Sequence, residues 1–160
     1  MILDDNTRIV PGLVAQVNHG RLKQCEATED GFIGPPNFIF DVFDADELDE
    51  YESRKSSFEK HGVSEYVVLI ADENQTCHWN RHNGSKFESV SPDENGIIKS
   101  KALPGLWFST NSAKDRDWWT LIDFVERGVT RVGHHELMET IFHKDGRKEE
   151  WGDWIPFDAG

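Results

Sequence analysis

Several features that would identify a protein class are scarce or missing in this chain of 160 residues. The two cysteines, Cys25 and Cys77, have a separation that matches neither a zinc site nor a disulfide framework, which favours a reducing compartment. No apolar run approaches the ~20 residues that span a membrane. The first residues have neither the basic start nor the apolar run of a signal peptide. We therefore expect a cytoplasmic protein without a membrane segment.

Basic residues are also few, with 17 Lys and Arg against 30 Asp and Glu, and the formal net charge is −13. A nucleic-acid duplex repels such a surface unless basic residues gather on one face or metal ions neutralise the site. DNA is therefore a disfavoured partner. The chain also has no P-loop, dinucleotide fingerprint, or serine or cysteine nucleophile motif, which argues against those enzyme classes.

Aromatic residues, in contrast, are plentiful, with 6 Trp, 10 Phe and 2 Tyr, and 37% of the chain is hydrophobic. This composition argues against disorder, and the length suits one domain with a single core. No repeat, linker or low-complexity tract divides the chain. We predict one domain over residues 1–160, in which the charged segment 144–160 forms a tail without an assigned structure.

The clearest local pattern is a strand, a helix and a second strand between residues 38 and 71. The apolar run at 38–43 follows two prolines and predicts a short buried strand. Residues 46–61 predict a helix that ends at Gly62, where glycine supplies a left-handed turn. Either Asp44 or Asp46 can cap its start. Residues 65–71 predict the second strand.

Weaker signals extend this pattern on both sides. Asn83-Gly84 is a strong hairpin cue between two short strands. The order of elements predicts an α/β or α+β fold with a mixed sheet. The further predicted elements are a strand at 7–17, a turn at 18–20, strands at 76–81 and 85–90, a compact apolar element at 101–108, and helices at 118–127 and 134–142.

Adjacent tryptophans open the predicted helix at 118–127. Neighbouring positions on a helix diverge by about a hundred degrees. We therefore expect one ring of Trp118 and Trp119 to face the core while the other covers a neighbouring subunit. This arrangement favours a homodimer.

Three segments, GPPNFIFDV, FEKHGVSEYVV and SPDENGIIKSKALPGLWF, together resemble the bacterial Uma-two family. Members of that family are described as restriction endonucleases of the PD-(D/E)XK superfamily. The similarity runs from about Thr7 to about Phe142. Its most specific features are the Gly-Val-x-Glu-Tyr turn into a strand (Gly62, Val63, Glu65 and Tyr66) and the Leu-Pro-Gly-Leu-Trp run at 103–107. The resemblance implies a restriction-endonuclease-like mixed sheet flanked by helices. It also implies a Mg²⁺-dependent DNA endonuclease.

The resemblance further implies three functional positions, and each is altered in this chain. Gly12 stands where the family has a metal-binding aspartate, so that carboxylate is lost. Asp41 stands where the family has a glutamate, and it is the expected metal ligand. Arg54 stands in the lysine position, four residues before the aromatic Phe58. Lys55, next to it, is the alternative basic residue.

These changes matter because phosphodiester hydrolysis of this kind needs a divalent cation that polarises the phosphate and lowers the pKa of water. Mg²⁺ prefers several oxygen ligands, and arginine cannot act as a base. Asp44, Asp46 or Asp49 could replace the lost carboxylate, or could only cap the helix. Three hypotheses stay open. The chain is an impaired or inactive Mg²⁺-dependent endonuclease, a non-catalytic binding or oligomerisation module on the same fold, or a structural protein unrelated to nucleases.

One other group of residues invites a metal interpretation. Cys77, His78 and His82 lie close in sequence on the predicted hairpin. However, Cys77 and His78 should point to opposite faces of a strand, and His82 should lie in the turn. We therefore predict structural roles for these three residues.

Overall fold

The computed structural model describes residues 1–4, 7–17, 23–29 and 31–143. The predicted turn at 18–20 and the tail at 144–160 lie outside these residues. The elements in chain order are β1 (Leu13–Ala15), β2 (Glu26–Thr28), β3 (Gly31–Ile33), β4 (Phe38–Phe43), α1 (Leu48–His61), β5 (Glu65–Ile70), β6 (Thr76–His82), β7 (Phe87–Ser89), β8 (Ile97–Lys99), β9 (Trp107–Ser109), α2 (Thr110–Lys114), α3 (Trp118–Val129) and α4 (Val132–His143).

A five-stranded sheet in the order β1-β4-β5-β6-β7 forms the centre of the fold. The pair β4 and β5 is parallel, and the other pairs in this sheet are antiparallel. Asp41 pairs in register with Val68 of β5. The hairpins β2-β3 and β8-β9 form two smaller sheets. The prediction of a mixed sheet with helices is confirmed, and the class is α+β.

Helix α1 connects the two parallel strands and covers one face of the sheet. Tyr51 and Phe58 are buried on its inner side. At its end, Gly62 adopts φ 77°, a left-handed conformation that glycine enters without steric cost, as predicted. The predicted caps Asp44 and Asp46 are wrong, because the N-cap residue is Glu47 and makes no side-chain cap hydrogen bond.

The core on the α1 side follows from the alternation of side chains along β4 and β5. Ile39 and Phe43 of β4 point to this face. The Phe58 ring packs edge-on against Tyr66, with 4.8 Å between ring centroids. The other members of this cluster of buried side chains are Leu3, Tyr51, Val63, Val68, Ile70 and Phe87. Asp41 has the same strand parity as Ile39 and Phe43, so its carboxylate is carried to the same face.

The opposite face of the sheet is covered by residues 98–108. Phe38, Val67, Trp79 and Ile98 form its buried cluster, and Trp79 contacts Phe38 edge-on at 5.8 Å between ring centroids. Partly buried residues that pack on it are Ala15, Phe40, Cys77, Val90, Leu103, Leu106 and Phe108. The sheet is therefore enclosed between α1 and the segment that runs from β8 to β9.

Helix α3 packs on this second layer through a close approach to the Leu-Pro-Gly turn. A Cβ atom added at Gly128 would overlap the carbonyl oxygen of Gly105. The expectation that Trp118 or Trp119 faces the core is wrong, because their exposed fractions are 58% and 84%. Within the described ranges, no helix combines the length and apolar character that a membrane span requires.

Candidate functional site

The candidate site is centred on Asp41, a residue that is 2% exposed. Its Oδ1 accepts a hydrogen bond from the backbone N–H of Gly12, with 2.5 Å between the atoms. Its Oδ2 accepts from the hydroxyl of Tyr66 at 3.1 Å and from Nη1 of Arg54 at 3.2 Å. Both oxygens of this buried charge are therefore satisfied by donors from three different parts of the chain.

Arg54 links helix α1 to the strand that carries Asp41. Its Nε and Nη2 donate to Oε1 of Glu50 at 3.0 and 2.5 Å, a pair spaced by four residues on one helix face. Its Nη1 also donates to the carbonyl of Val10 at 3.1 Å. The guanidinium lies over the Phe43 ring, with Cζ 5.2 Å from the centroid. Four of its five N–H groups thus have acceptors among the described residues.

These contacts act on the protonation of the site. Burial acts to lower the pKa of Arg54, but hydrogen bonds and charges from Glu50 and Asp41 outweigh it and raise the pKa. Burial, reinforced by the adjacent Asp41 carboxylate, raises the pKa of the Tyr66 hydroxyl. Arg54 therefore stays a cation and Tyr66 stays a neutral donor, so neither can serve as a base near neutral pH.

A pocket of about 510 Å³ opens beside this network. It lies where β1 meets the end of β4 and the first turns of α1. Its lining residues are Val10, Pro11, Gly12, Leu13, Phe40, Asp41, Val42, Phe43, Glu47, Glu50 and Arg54. The structure therefore brings together Gly12, Asp41 and Arg54, the three positions that the family resemblance singled out.

Position 12 has little room for a side chain. A Cβ atom at Gly12 would lie 3.1 Å from the carbonyl oxygen of Phe40 and 3.4 Å from Oδ1 of Asp41. The first distance is shorter than ordinary van der Waals contact. The backbone N–H of Gly12 thus approaches Asp41 at a place where a larger residue would displace it.

Lys55 lies apart from the pocket. Its Nζ is 3.5 Å from Oε2 of Glu52 and lies over the Tyr51 ring at 5.4 Å from the centroid. Of the two basic residues that the sequence offered, Arg54 is the one that contacts Asp41. Its place in the chain, four residues before Phe58, therefore coincides with its place beside the pocket.

The residues of the pocket do not fit a magnesium site. Arg54 lies between the Asp41 and Glu50 carboxylates and supplies the positive charge that a metal would bring. The third acid, Glu47, accepts a hydrogen bond from the backbone N–H of Asp44. The exposed acids Asp44, Asp46 and Asp49 do not line the pocket. In the described part of the chain, no three His, Cys, Asp or Glu residues are grouped to hold a metal ion.

The hairpin residues make structural contacts. The His78 ring stacks on Tyr51, with 5.4 Å between centroids. His82 Nε2 forms a hydrogen bond with the carbonyl of Glu59 at 3.1 Å. Burial raises the pKa of the Cys77 thiol to about 11. Cys77 and His78 point to opposite faces of β6, as predicted, but the expectation that His82 lies in the turn is wrong, because His82 is the last residue of β6 and pairs with Phe87.

Two residues of the network were missed by the sequence analysis. Glu50 lies four residues before Arg54, and that spacing of opposite charges on a helix is itself a signal of contact. Tyr66 lies on the strand parallel to β4, and the parity of β5 directs it to the α1 face. The sequence does not reveal that its hydroxyl reaches Asp41.

The chain matches no family model and no curated protein.

Proposed function

We propose that this chain is a non-catalytic relative of the PD-(D/E)XK nucleases, similar in pattern to the Uma-two family, and that it serves as a binding or oligomerisation module. In this proposal the restriction-endonuclease-like scaffold is kept and the metal site is replaced by an internal ion pair. Asp41 and Arg54 hold β4 to α1 and carry out no chemistry. The structural support is that the Asp41 carboxylate on β4 and the Arg54 guanidinium on α1 meet beside a pocket.

The observation that carries this proposal is that both carboxylate oxygens of Asp41 already have hydrogen-bond donors from the protein. Its two oxygens accept from the Gly12 N–H, the Tyr66 hydroxyl and the Arg54 guanidinium. A nuclease of this group needs carboxylate oxygens free for a divalent cation and a group that can orient or deprotonate water. Here the Arg54 guanidinium stands beside the carboxylate where the divalent cation would bind. Arginine also cannot deprotonate water, because it does not release its own proton.

An impaired Mg²⁺-dependent DNA endonuclease is the second candidate. The pocket beside Asp41 and Arg54 favours it, because a phosphate oxygen could approach the guanidinium there. Against it, four N–H groups of Arg54 already have protein acceptors. The formal charge of −13 also opposes the approach of a duplex.

The test is a cleavage assay on supercoiled and single-stranded DNA with Mg²⁺ or Mn²⁺, combined with calorimetric titration of Mg²⁺. We expect the wild type to leave both DNAs intact and to give no heat of magnesium binding. Magnesium-dependent cleavage that disappears in Asp41→Asn would overturn the proposal, and so would measurable binding that disappears in the same variant.

A restored variant sharpens this test. The triple change Gly12→Asp, Asp41→Glu and Arg54→Lys returns the expected carboxylates and removes the fixed guanidinium. The new side chain at position 12 must push its backbone away from the Phe40 carbonyl, so circular dichroism is needed to show that the triple variant is folded. We expect the folded variant to bind Mg²⁺ where the wild type does not. The matched control is Arg54→Lys alone, which leaves Asp41 without a second acid at position 12 and should not bind. Equal binding by both variants would show that the missing carboxylate is irrelevant.

A further inference from the structure

The ring of His61 meets an acceptor at each of its two nitrogens. Nδ1 lies 2.7 Å from the carbonyl oxygen of Ser57, and Nε2 lies 2.8 Å from Oδ2 of Asp4. A carbonyl and an ionised carboxylate only accept hydrogen bonds, so each nitrogen needs a proton to make its contact. The neutral ring has one such proton and can make only one of the two bonds. The geometry therefore selects the doubly protonated, positively charged ring.

A second histidine shows the opposite arrangement. Nε2 of His82 lies 3.1 Å from the carbonyl oxygen of Glu59, but its Nδ1 accepts a hydrogen bond from the backbone N–H of Gly84 at 3.0 Å. Nδ1 can accept only when it carries no proton, so these contacts select the neutral ring with its proton on Nε2. The two histidines thus favour opposite charge states, although each ring contacts a carbonyl of α1.

Asp4, the partner of His61, belongs to two antiparallel segments, residues 1–4 and 7–9, which are called the leading hairpin. Met1 and Ile9 exchange two backbone hydrogen bonds of 2.8 and 2.9 Å across it. The contact between Asp4 and His61 fastens this hairpin to the end of α1.

The leading hairpin connects the core to the pocket beside Asp41. The side chain of Leu3 belongs to the buried cluster on the α1 side. Residues 10–13, which follow the hairpin, form one wall of the pocket. Helix α1 holds this stretch at two points, through His61 and through the bond from Arg54 to the Val10 carbonyl. Arginine keeps its charge at all ordinary pH values, whereas histidine titrates near neutral pH.

The surroundings of His61 favour its charged form. It is the last residue of α1, where the negative end of the helix dipole attracts a positive ring. Its side chain is 13% exposed and that of Asp4 is 39% exposed, so solvent only partly screens the pair. Among the described residues, Asp4 is the charged group in contact with the ring. The other described charged residues nearest to the pair along α1 and the leading hairpin are the exposed Lys60 and Arg8, and Glu59, whose carboxylate accepts from the Phe87 backbone N–H.

We propose that His61 and Asp4 form a proton-dependent latch that holds the leading hairpin on α1. With two protons on the ring, both contacts form and the hairpin is held. When the ring loses one proton, a nitrogen lone pair faces either the Ser57 carbonyl or the Asp4 carboxylate, and the ion pair is lost. The leading hairpin then opens more often, and the pocket wall that follows it loosens. This device goes beyond the proposed function and is independent of it, because neither metal nor nucleic acid takes part.

The sign of the pH dependence follows from the contacts. A histidine side chain in an unfolded chain holds its second proton below about pH 6.5, and an aspartate is ionised above about pH 4. The latch is therefore closed between these limits, and it opens as the pH rises and His61 releases its proton.

The first test is nitrogen-15 NMR of the histidine rings in the full chain, which distinguishes the charged ring from each neutral tautomer. At about pH 7 a free histidine side chain is roughly one-quarter charged. We expect His61 to be mostly charged at this pH and His82 to be neutral with its proton on Nε2. The variants His61→Gln and His82→Gln assign the signals. A mostly neutral His61 at this pH overturns the proposal.

The second test is hydrogen exchange of the full chain at about pH 5.5 and about pH 8. Protection factors correct for the intrinsic pH dependence of exchange, and the amides of β5 serve as the internal reference. We expect the protection of Leu3 and Ile9, relative to β5, to fall about fivefold at the higher pH, as suits a partly exposed ion pair at a helix end. Equal protection at both pH values overturns the proposal, and this comparison needs no variant.

Matched variants show whether His61 is the group that titrates. His61→Gln and Asp4→Asn remove the ion pair, so the fall in protection should disappear in both. His82→Gln is the control of the same kind and should keep the full wild-type fall. Circular dichroism shows that each variant is folded. A fall in protection that persists in folded His61→Gln also overturns the proposal, because another group would then control the leading hairpin.

Discussion

Among the described residues, each face of the central sheet buries one carboxylate. Comparing the surroundings of these two carboxylates distinguishes a candidate site from an ion pair that only joins two parts of the fold. Asp41 on the α1 side is 2% exposed and Glu65 on the other side is 1% exposed. Each is neutralised by one arginine, at 3.2 Å for Arg54 and 2.7 Å for Arg81. A buried, arginine-paired acid is therefore not by itself evidence of catalysis.

The difference lies in what surrounds each pair. Glu65 also accepts from the Ser100 hydroxyl at 2.5 Å and the Lys101 backbone N–H at 3.0 Å. These contacts join β5 to the segment that covers its face, and Glu65 does not line the described pocket. Asp41 borders that pocket. The functional potential of a buried charge thus depends on access from solvent as well as on its neutralisation.

The largest effect is expected at Glu65. Changing Glu65→Ala leaves Nε of Arg81, the Ser100 hydroxyl and the Lys101 backbone N–H without their acceptor, which should cost about 3–5 kcal/mol of unfolding free energy. Urea denaturation followed by fluorescence measures it. The matched control is the exposed acid Glu73, for which Glu73→Gln should change stability by less than about 0.5 kcal/mol. A small loss of unfolding free energy in Glu65→Ala would contradict the comparison, because the Glu65–Arg81 pair would then not be needed for stability.

A smaller effect is expected where α3 meets the Leu-Pro-Gly turn. In Gly128→Ala, the new methyl group would overlap the Gly105 carbonyl, so the helix must shift, at a cost of about 2 kcal/mol. The control is Gly133→Ala on α4, where an added Cβ meets no atom within 4 Å. That change should stabilise the protein by roughly 0.5–1 kcal/mol. Thermal unfolding of both variants gives the comparison, and equal shifts would contradict the close approach.

The smallest effect appears at alkaline pH and differs between the faces. Burial raises the pKa of Cys77 to about 11, while a thiol in the unfolded chain ionises near about 8.5. The unfolded state therefore loses its proton first. The stability that the protonated thiol contributes is complete below about pH 8.5, and roughly 0.8 kcal/mol of it is lost at pH 9.

Variants of Cys77 and Tyr66 show which face of the sheet causes the loss of stability at each alkaline pH. Cys77→Ala should reduce the fall in stability above about pH 8.5. On the α1 side, the raised pKa of Tyr66 acts only above about pH 10, where the unfolded tyrosine ionises. Tyr66→Phe should therefore alter the profile only in that upper range. Urea midpoints at a series of pH values test both, and identical profiles for the two variants would contradict the assignment.

The parts of the fold that sequence reasoning predicted are those with strong local patterns. Strand β4, helix α1 with Gly62 at its end, strand β5 and the β6-β7 hairpin were all expected, and their existence and type are confirmed. The β2-β3 hairpin was missed because β2 is wholly exposed and carries no buried alternation. Helix α2 was missed because its five residues are too few to show a period.

The candidate site was predictable only in part. The family resemblance, aligned on Phe58, singled out Arg54, and the structure shows that Arg54 contacts Asp41. The third donor to Asp41, the Tyr66 hydroxyl, depends on how β4 and β5 are paired and how far the ring extends. Those are tertiary properties that a single sequence does not encode in a local pattern. The exposure of Trp118 was missed for the same reason, since helical phase relative to the sheet is set by packing.

The outer strands of the central sheet, β1 and β7, are each only three residues long. Such short rims offer few free backbone groups to a neighbouring chain, so recruitment of further strands, the first step toward cross-β fibres, has little to build on. We therefore expect the protein to aggregate less readily at high concentration than its many aromatic residues suggest.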